Sequence, residues 1–509
     1  MIDRVRAVLL LLLVLPASVA AQEPVDTAAI RRIRAEGFDR SRVLETALGL
    51  SDLQPPRLAG SPGFLAAAGY ATRRLKGWGI ARAGLEPWGR RSPSWVLDRY
   101  NVEMVSPWYL HVTAFPRAWS AAAAVPITAP VVVVSIQSDT DFARYHGKLR
   151  GRIVLNGAIA PPSAPDGPMV ERFSDAELDS LTRLTDPGKP LTVTEDMQPW
   201  RDLIADGRRL AAFLRREGAV ALLEPSEIET ALRVDGWFAY PGAAWGGVPS
   251  FVVSRPHFNR MLRLVDAGKP VRLTVSLRAH PVRGDSLGMN VVAEIPGSDP
   301  ALKEQVVMLG GHLDSWIAGT GAADNAAGCA VGMEVLRILM ATDLHPRRTI
   351  RLALWDAEEP SEDYAGSMGY VRRHFGNPDT GQLRAEQARL SAYFNLDNGS
   401  GKIRGIYLQG NSAARPVFES LLAPFADLGA DHVTIANTGE TDHIPFWALG
   451  LPAFEFIQDP LDYESRVHHS DHDIGDYLRE ADLEQAAVVM ASVVYHAAMR
   501  DSLIPRMPR

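Results

Sequence analysis

From about residue 281 onward, predicted strands and helices alternate along the chain. Short runs rich in apolar and β-branched residues indicate strands, and segments with apolar residues three and four apart indicate helices. This alternation is typical of an α/β fold, with a mixed central sheet flanked by helices. The predicted strands are Asn290–Ile295, Gln305–Gly310, Thr349–Trp355, Ala392–Leu396, Gly405–Gln409 and Pro452–Ile457, and the predicted helices are Ala326–Met340, Ser367–His374, Arg415–Phe425 and Ala481–Met499.

Two regions of different character precede this α/β segment. The region from residue 22 to 118 begins with helical patterns over Thr27–Leu50 and Phe64–Trp78, separated by the turn Arg57–Gly63. The region 119–280 instead carries short strand patterns, with an irregular stretch at Ala160–Gln198 that we interpret as an extended loop or lid. Since 509 residues exceed one hydrophobic core, we expect at least two packed units. The strands predicted in 119–280 are Val131–Ile136, Arg152–Leu155, Val220–Leu223, Ser250–Val253 and Val271–Leu277, with helices at Trp200–Glu217 and Pro256–Ala267.

The first 21 residues are typical of a secretory signal peptide. Arg4 and Arg6 precede an unbroken apolar run, Ala7–Leu15, which is followed by the small-residue cleavage sequence Ser18-Val19-Ala20. A transmembrane helix needs about 20 apolar residues, and this run is shorter. We therefore predict cleavage after Ala20 or Ala21, a secreted or periplasmic protein, and no stable membrane anchor.

Net charge and cysteine content exclude several classes of protein. The formal net charge of -7 offers no basic surplus for binding nucleic acid. Cys329 is the only cysteine, so an intramolecular disulfide and a thiolate zinc finger are both excluded. We expect Cys329 to behave as a small buried apolar residue.

Histidines and carboxylates stand repeatedly where predicted strands end. Individually they have ordinary explanations: His312 could be a satisfied structural histidine, and Asp324 a helix N-cap. Together they are more informative, because ligands of open α/β sheets bind at the carboxyl ends of the strands. Imidazole and carboxylate donors without thiolates suit a catalytic zinc site. The residues concerned are His312, Asp314, Asp324, Glu358, Glu359, Asp397, His468 and His469.

These segments resemble the co-catalytic zinc exopeptidases, a family that includes secreted bacterial aminopeptidases and the plasma and membrane glutamate carboxypeptidases. The block His146–Leu155 and the tripeptide Val248-Pro249-Ser250 also resemble a protease-associated domain. The resemblance implies one di-zinc peptidase domain formed by residues 22–118 and 281–509, with a β-rich protease-associated domain inserted at 119–280. The matching peptidase motifs, in the family's order, are Gly311–Asp314, Ala323–Gly328, Trp355–Glu359, Asn395–Gly399, Thr441–His443 and His469–Asp473.

The resemblance also implies a role for each site residue. Two zinc ions would be held by five ligands, and one glutamate would act as general acid and base. It further implies that the Asp324–Asn325 peptide bond is cis. In these roles Asp324 bridges the two ions, His312 and Asp397 complete one site, Glu359 and His469 complete the other, Glu358 is the acid/base, and Asp314 orients His312.

Three positions need separate treatment. His468 and His469 are adjacent, and the family's His-Ser-x-x-Asp register selects His469 as the ligand. The sequence Pro360–Tyr364 departs from the Gln-Gly pair usual in relatives, and we interpret it as a loop variation that affects specificity. Asp442 and His443 match a family motif, and we expect them to be structural or to support the ligands.

The function that follows is a secreted zinc exopeptidase acting on short peptides, of aminopeptidase, dipeptidase or carboxypeptidase type. Two alternatives stay open: a catalytically inactive receptor or binding ectodomain, and a glutaminyl cyclase with a single zinc. The sequence does not rank Glu440, Asp462 and Arg466 as anchors for the terminal charge of the substrate. It also leaves open the oxyanion donor, for which Tyr463 is near His469, and the oligomeric state.

Overall fold

A computed structural model describes residues 23–161, 169–188, 192–236, 247–282, 287–360 and 363–507. The predicted signal peptide, residues 1–21, lies outside the described residues. Among the described residues, no helix combines the length and the apolar character needed to cross a membrane.

Thirteen α-helices occur in the described residues. The helix predicted over Thr27–Leu50 is in fact two helices, because the polar segment at 40–42 interrupts the apolar spacing. The helices are α1 Thr27–Asp39, α2 Val43–Leu50, α3 Pro62–Gly77, α4 Phe142–Tyr145, α5 Asp175–Thr182, α6 Val193–Asp196, α7 Gln198–Glu217, α8 Arg255–Asp266, α9 Ala327–Ala341, α10 Ala365–His374, α11 Arg415–Leu422, α12 Ile444–Trp447 and α13 Glu480–Met499.

The first large sheet has eight strands in the order β1-β10-β12-β11-β15-β18-β16-β17. Its centre, β12-β11-β15-β18, is parallel. Strand β10 pairs antiparallel with β1 and β12, and β16 pairs antiparallel with β18 and parallel with β17, so the predicted mixed α/β sheet is confirmed. These strands are β1 Arg82–Arg90, β10 Leu287–Ile295, β11 Val306–His312, β12 Thr349–Trp355, β15 Leu390–Asn395, β16 Ile403–Tyr407, β17 His432–Thr434 and β18 Ala453–Gln458.

Strand register brings the predicted site residues to one edge of this sheet. His312 lies opposite Trp355, and Gly310 lies opposite Asn395, so β11, β12 and β15 end side by side. Gly310 allows the close approach, since a Cβ there would lie 2.0 Å from the carbonyl oxygen of Ala353.

Helices α9 and α13 are almost entirely buried against this sheet and form its main core with α1, α2 and α3. Cys329 lies in α9 and is fully buried, as expected for a small apolar residue. Arg57 is also fully buried, and its guanidinium donates to the carbonyl oxygens of Leu313, at 2.7 Å, and Gly321, at 2.8 Å. It thereby ties together the two ends of the loop that follows β11.

A second eight-stranded sheet, ordered β3-β2-β9-β5-β6-β7-β8-β4, has its own core. It includes strands that precede residue 119, where the sequence places the start of the inserted unit. The long strand β2 was missed because its exposed and buried residues do not alternate regularly. The strands are β2 Trp95–Ser106, β3 Leu110–His111, β4 Ala114–Pro116, β5 Ala123–Val134, β6 Ile153–Asn156, β7 Ala221–Pro225, β8 Ser250–Val253 and β9 Arg272–Pro281; a separate hairpin is formed by β13 Gly376–Asn377 and β14 Gln382–Leu383.

Candidate metal centre and substrate cavity

His312 is the last residue of β11 and is 1 % exposed. Its Nδ1 lies 3.0 Å from the carbonyl oxygen of Asp314, whereas the Asp314 carboxylate is 3.7 Å away. The carbonyl oxygen of Asp314 is therefore the nearer partner of the ring, with the carboxylate of the same residue within ion-pair distance. The Nε2 faces carboxylate oxygens of Asp324 and Asp397, each at 3.1 Å. A ring held through Nδ1 can offer its Nε2 lone pair to a metal ion.

Asp324 lies in the turn that leads from Gly321 into α9, and the peptide bond to Asn325 is cis, as the resemblance implies. The Asp473 carboxylate holds this turn by accepting hydrogen bonds from the N–H groups of Ala323, at 2.6 Å, and Asp324, at 3.3 Å. The Asp324 side chain is buried, and its Oδ2 has no hydrogen-bond partner among the described residues. A buried carboxylate oxygen without a donor is costly unless a cation neutralises it.

Glu358 and Glu359 follow β12. Their backbone N–H groups donate to the Asp314 carboxylate at 3.1 and 3.3 Å, so Asp314 fixes the path of this loop. Both side chains line the cavity beside the site. Glu359 is also close to His469, with Oε2 2.9 Å from Nε2, and this contact places Glu359 among the donor groups.

Asp397 follows β15 and is held on both sides. Its Oδ2 accepts a hydrogen bond from the Thr441 hydroxyl, and its N–H donates to Glu455 Oε1 at 2.8 Å. Asn395 links the two supports, since its Nδ2 lies 3.0 Å from Thr441 Oγ1 and 2.7 Å from Glu455 Oε2. The other carboxylate oxygen of Asp397, Oδ1, faces His312. The sequence did not predict the parts played by Thr441, Asn395 and Glu455.

His469 and His468 both reach Asp324, at different distances. The Nε2 of His469 is 3.4 Å from Asp324 Oδ2 and 2.9 Å from Glu359 Oε2. The Nε2 of His468 is 3.9 Å from the same Asp324 oxygen, and its Nδ1 is 3.2 Å from Glu464. The geometry thus favours His469, with a φ of 56°, as the closer donor.

The second sheet unit braces the loop that carries His469. The segment 232–234 contributes hydrogen bonds from the Val234 N–H to the His469 carbonyl oxygen, at 2.7 Å, and from the Leu232 N–H to Asp471 Oδ1, at 2.7 Å. Asp471 returns a hydrogen bond to the Leu232 carbonyl oxygen at 3.1 Å. The position of His469 therefore depends on residues far from the peptidase motifs in sequence.

The donor atoms form two groups that share the Asp324 carboxylate. Asp324 Oδ1 stands with His312 and Asp397, and Asp324 Oδ2 stands with His469 and Glu359. These donor atoms are 2.9 to 3.4 Å apart. Two ligand atoms on one tetrahedral zinc ion, each bonded at about 2.0–2.1 Å, are about 3.3 Å apart. The all-nitrogen-and-oxygen donor set also fits catalytic zinc. The residues present therefore fit zinc.

Burial and mutual charge shift the pKa values of these groups. Burial alone would lower the pKa of His312, but the carboxylates of Asp397 and Glu358 raise it well above its ordinary value. Burial raises the pKa of Glu358 well above the usual carboxyl range, despite the opposing effect of His312. Buried Asp442 is raised in the same way. Metal binding at such groups displaces protons and is therefore pH-dependent.

A cavity of about 350 Å³ opens beside the donor atoms. Glu440 lines it, whereas Asp462 and Arg466 pair with each other at 3.2 Å and are not part of the lining. Tyr463 lines the cavity, and buried Asp442 and His443 lie outside it. Among the described lining residues there is no lysine or arginine. The lining is Asp196, Met197, Trp200, Ile204, His312, Asp324, Glu358, Glu359, Tyr364, Asp397, Asn398, Thr438, Gly439, Glu440, Thr441, Tyr463, Glu464, His468 and His469.

Comparison with known proteins places this site in a family. Residues 290–494 match Peptidase family M28. Carboxypeptidase Q of Bos taurus is 27% identical over 492 residues, which cover 94% of this chain and 90% of that protein.

Solved structures share the fold. A peptidase M28 precursor from Shewanella amazonensis is 24% identical with a TM-score of 0.69, covering 95% of this chain and 99% of the other. A zinc aminopeptidase from Bacillus subtilis is 20% identical with a TM-score of 0.56, covering 90% of this chain and 95% of the other. The segment 290–494 is therefore a Peptidase family M28 domain, in keeping with the co-catalytic zinc exopeptidases that its motifs resemble, and the chain is a hydrolase of the metallo-exopeptidase class.

Proposed function

We propose that the chain is a secreted di-zinc exopeptidase that removes the amino-terminal residue from short peptides. The observation that carries this proposal is the pair of donor groups that share Asp324, placed at the wall of a cavity that also contains Glu358. His312 and Asp397 would hold one zinc ion, and Glu359 and His469 the other, with Asp324 between them. When bound, such ions lower the pKa of water toward neutrality and polarise the scissile carbonyl.

Glu358 is the general base and then the general acid in this proposal. It faces the cavity, and its backbone is fixed by Asp314, so its carboxylate has a defined position relative to the five ligands. Its raised pKa suits a group that takes a proton from the attacking water and returns it to the leaving amine. Such a group typically contributes about 10²–10⁴-fold to the rate.

The charge of the cavity supports recognition of a free amine. A substrate carboxylate would need a basic partner, and the described lining offers only histidines that are engaged with the donor carboxylates. A substrate ammonium group can instead pair with Glu440 at the rim. We therefore propose Glu440 as the anchor, although the relative from Bos taurus is named a carboxypeptidase.

Two finer points of the sequence-based interpretation remain part of this proposal. Residues 1–21 direct the chain out of the cytoplasm and are removed, so the mature amino terminus should be residue 21 or 22. The unit built on the second sheet is the inserted protease-associated domain. Amino-terminal sequencing of protein recovered from the medium or periplasm tests the first point.

The decisive experiment is a panel of dipeptides and of peptides blocked at either end, with zinc and with a chelator. We expect chelator-sensitive cleavage of free and carboxyl-blocked peptides, and none of amino-blocked ones. Glu358→Gln should keep two zinc ions by elemental analysis and lose turnover, whereas Glu440→Gln should raise KM for free-amine peptides.

Other outcomes would favour the alternatives. Cleavage that needs a free carboxylate would reverse the terminal preference. One zinc ion with cyclisation of amino-terminal glutamine would indicate a cyclase. Peptide binding without hydrolysis would indicate a receptor.

A further inference from the structure

Three apolar side chains at and after the start of α7 line the same cavity as the proposed zinc ligands. Met197, Trp200 and Ile204 are spaced three and four residues apart, so they lie on one face of the helix. Met197 is 5 % exposed and Ile204 is 2 % exposed, which makes this face a packed surface. We call these three residues the apolar wall.

The apolar wall is fixed to the peptidase sheet next to the catalytic groups. The Tyr364 hydroxyl donates to Asp196 Oδ2 at 2.6 Å, and the Glu440 N–H donates to the same oxygen at 3.2 Å. Met197 packs in one cluster with Tyr364 and Ile444. Because both ends of this connection line the same cavity, the distance between the apolar wall and Glu358 is set by direct contacts.

The other end of α7 belongs to the second unit. Phe213 and Leu214 pack in a core with residues of its sheet, such as Val154. The cavity is thus lined both by the proposed zinc ligands and by a helix whose far end packs in a separate core.

We propose that the apolar wall is the specificity pocket for the side chain of the residue released from the substrate, and that it selects a large apolar residue such as leucine or phenylalanine. This inference rests on the proposed function, because it places the occupant next to the scissile carbonyl. The cavity volume of about 350 Å³ accommodates such a side chain. Transfer of an apolar side chain from water to the wall supplies the discrimination, which grows with each added methylene.

A basic side chain fits the same space less well. Asp196 is the carboxylate nearest to the apolar wall in sequence, and its Oδ2 already accepts hydrogen bonds from Tyr364 and Glu440. It is 4 % exposed, and burial raises its pKa. The group therefore supports the docking of α6 and is poorly placed to offer a full charge to a ligand.

The test compares Trp200→Ala with Leu203→Ala. Leu203 is on the same helix, is 49 % exposed, and does not line this cavity, so it is the matched control. The assay measures hydrolysis by the zinc-loaded proteins of dipeptides X-Ala, in which X is Phe, Leu, Ala, Gly or Lys. We expect kcat/KM of Trp200→Ala to fall roughly tenfold or more for Phe and Leu and less than about twofold for Ala and Gly. Leu203→Ala should keep the wild-type order.

A second readout does not need turnover. Zinc-loaded Glu358→Gln, alone and combined with Trp200→Ala, is titrated calorimetrically with free phenylalanine and free alanine. Phenylalanine should bind tighter than alanine to the first protein, and the added Trp200→Ala change should remove that difference. Failure of all dipeptide hydrolysis with this binding pattern intact would overturn the proposed function and leave the pocket assignment standing.

The inference is overturned by any of three results. The first would be an equal fall in kcat/KM of Trp200→Ala for every X, which would make the residue merely structural. The second would be a Trp200→Ala protein with unchanged kcat/KM ratios between substrates. The third would be a wild type that prefers Lys to Phe and Leu. Thermal unfolding of each variant, compared with the wild type, separates a folding defect from a change in specificity.

Discussion

Replacing Thr441 with valine should weaken zinc binding without touching a ligand. The hydroxyl of Thr441 donates to Asp397 Oδ2 and accepts a hydrogen bond from Asn395 at 3.0 Å. Valine has nearly the same shape, so packing at this buried position is retained while the donor is lost. Asp397 then loses the contact that fixes the orientation of its carboxylate.

The magnitude follows from the charge of the acceptor. A hydrogen bond to an ionised group contributes about 1.5–3 kcal/mol, and each 1.4 kcal/mol is about a factor of ten in affinity. We therefore expect zinc affinity to fall by about 10- to 150-fold. This range overlaps the 10–100-fold typical of changes to groups that support a metal ligand.

The assay is competition for zinc between the apoprotein and a chromophoric chelator at fixed pH. Thr438→Val is the matched control, since Thr438 lines the same cavity and lies three residues earlier. The reasoning fails if Thr441→Val retains wild-type affinity, or if Thr438→Val loses as much. A loss confined to one of the two ions would additionally identify the ion that Asp397 binds.

Three further predictions concern separate parts of the molecule. His469→Ala should lower the zinc content to about one ion per chain while His468→Ala keeps two, and elemental analysis showing the reverse would exchange their roles. Arg57→Ala should lower the free energy of unfolding in urea by about 3 kcal/mol or more, because buried carbonyl oxygens lose their donor. Arg31→Ala, at an exposed position, is the control. Equal effects of the two changes would contradict the stabilising role of the Arg57 hydrogen bonds. Burial lowers the pKa of His443 to about 4. The unfolded chain takes up a proton on this histidine at about pH 6.5 and the folded chain only at about pH 4, so protonation favours the unfolded chain. The free energy of unfolding is therefore highest above about pH 6.5 and falls by about 3 kcal/mol toward about pH 4. His443→Gln should flatten this dependence in urea unfolding measured across that range, and an unchanged slope would refute the assignment.

The strands that carry the site were predictable because they are buried and parallel. Such strands read as nearly continuous apolar runs, as Thr349–Trp355 does, and their ends expose polar residues abruptly. Edge strands carry less information. In β1 only Ala83 is buried, and the register with β10 shifts between Pro87 and Gly89, so the regular pattern of a strand is absent.

The site itself was predictable only for the residues that a motif contains. The order of His312, Asp324 and Asp397 along the chain reflects the order of strands and loops at one sheet edge. The choice of His469 over His468 rested on the register of a family motif, and the distances of 3.4 and 3.9 Å to one oxygen atom that separate them are visible only in the structure. The apolar wall was hidden for a similar reason, because an apolar helix face signals burial and does not name what it faces.

The bracing of the His469 loop by residues 232–234 bears on the order in which the molecule is completed during synthesis. The segment that braces the loop leaves the ribosome more than 200 residues before the histidine it will hold. A growing chain can form the His312 and Asp397 group once the central strands pair. The second group closes only when the last loop returns to a partner made much earlier, so hydrolytic activity is withheld until nearly the whole chain has been released.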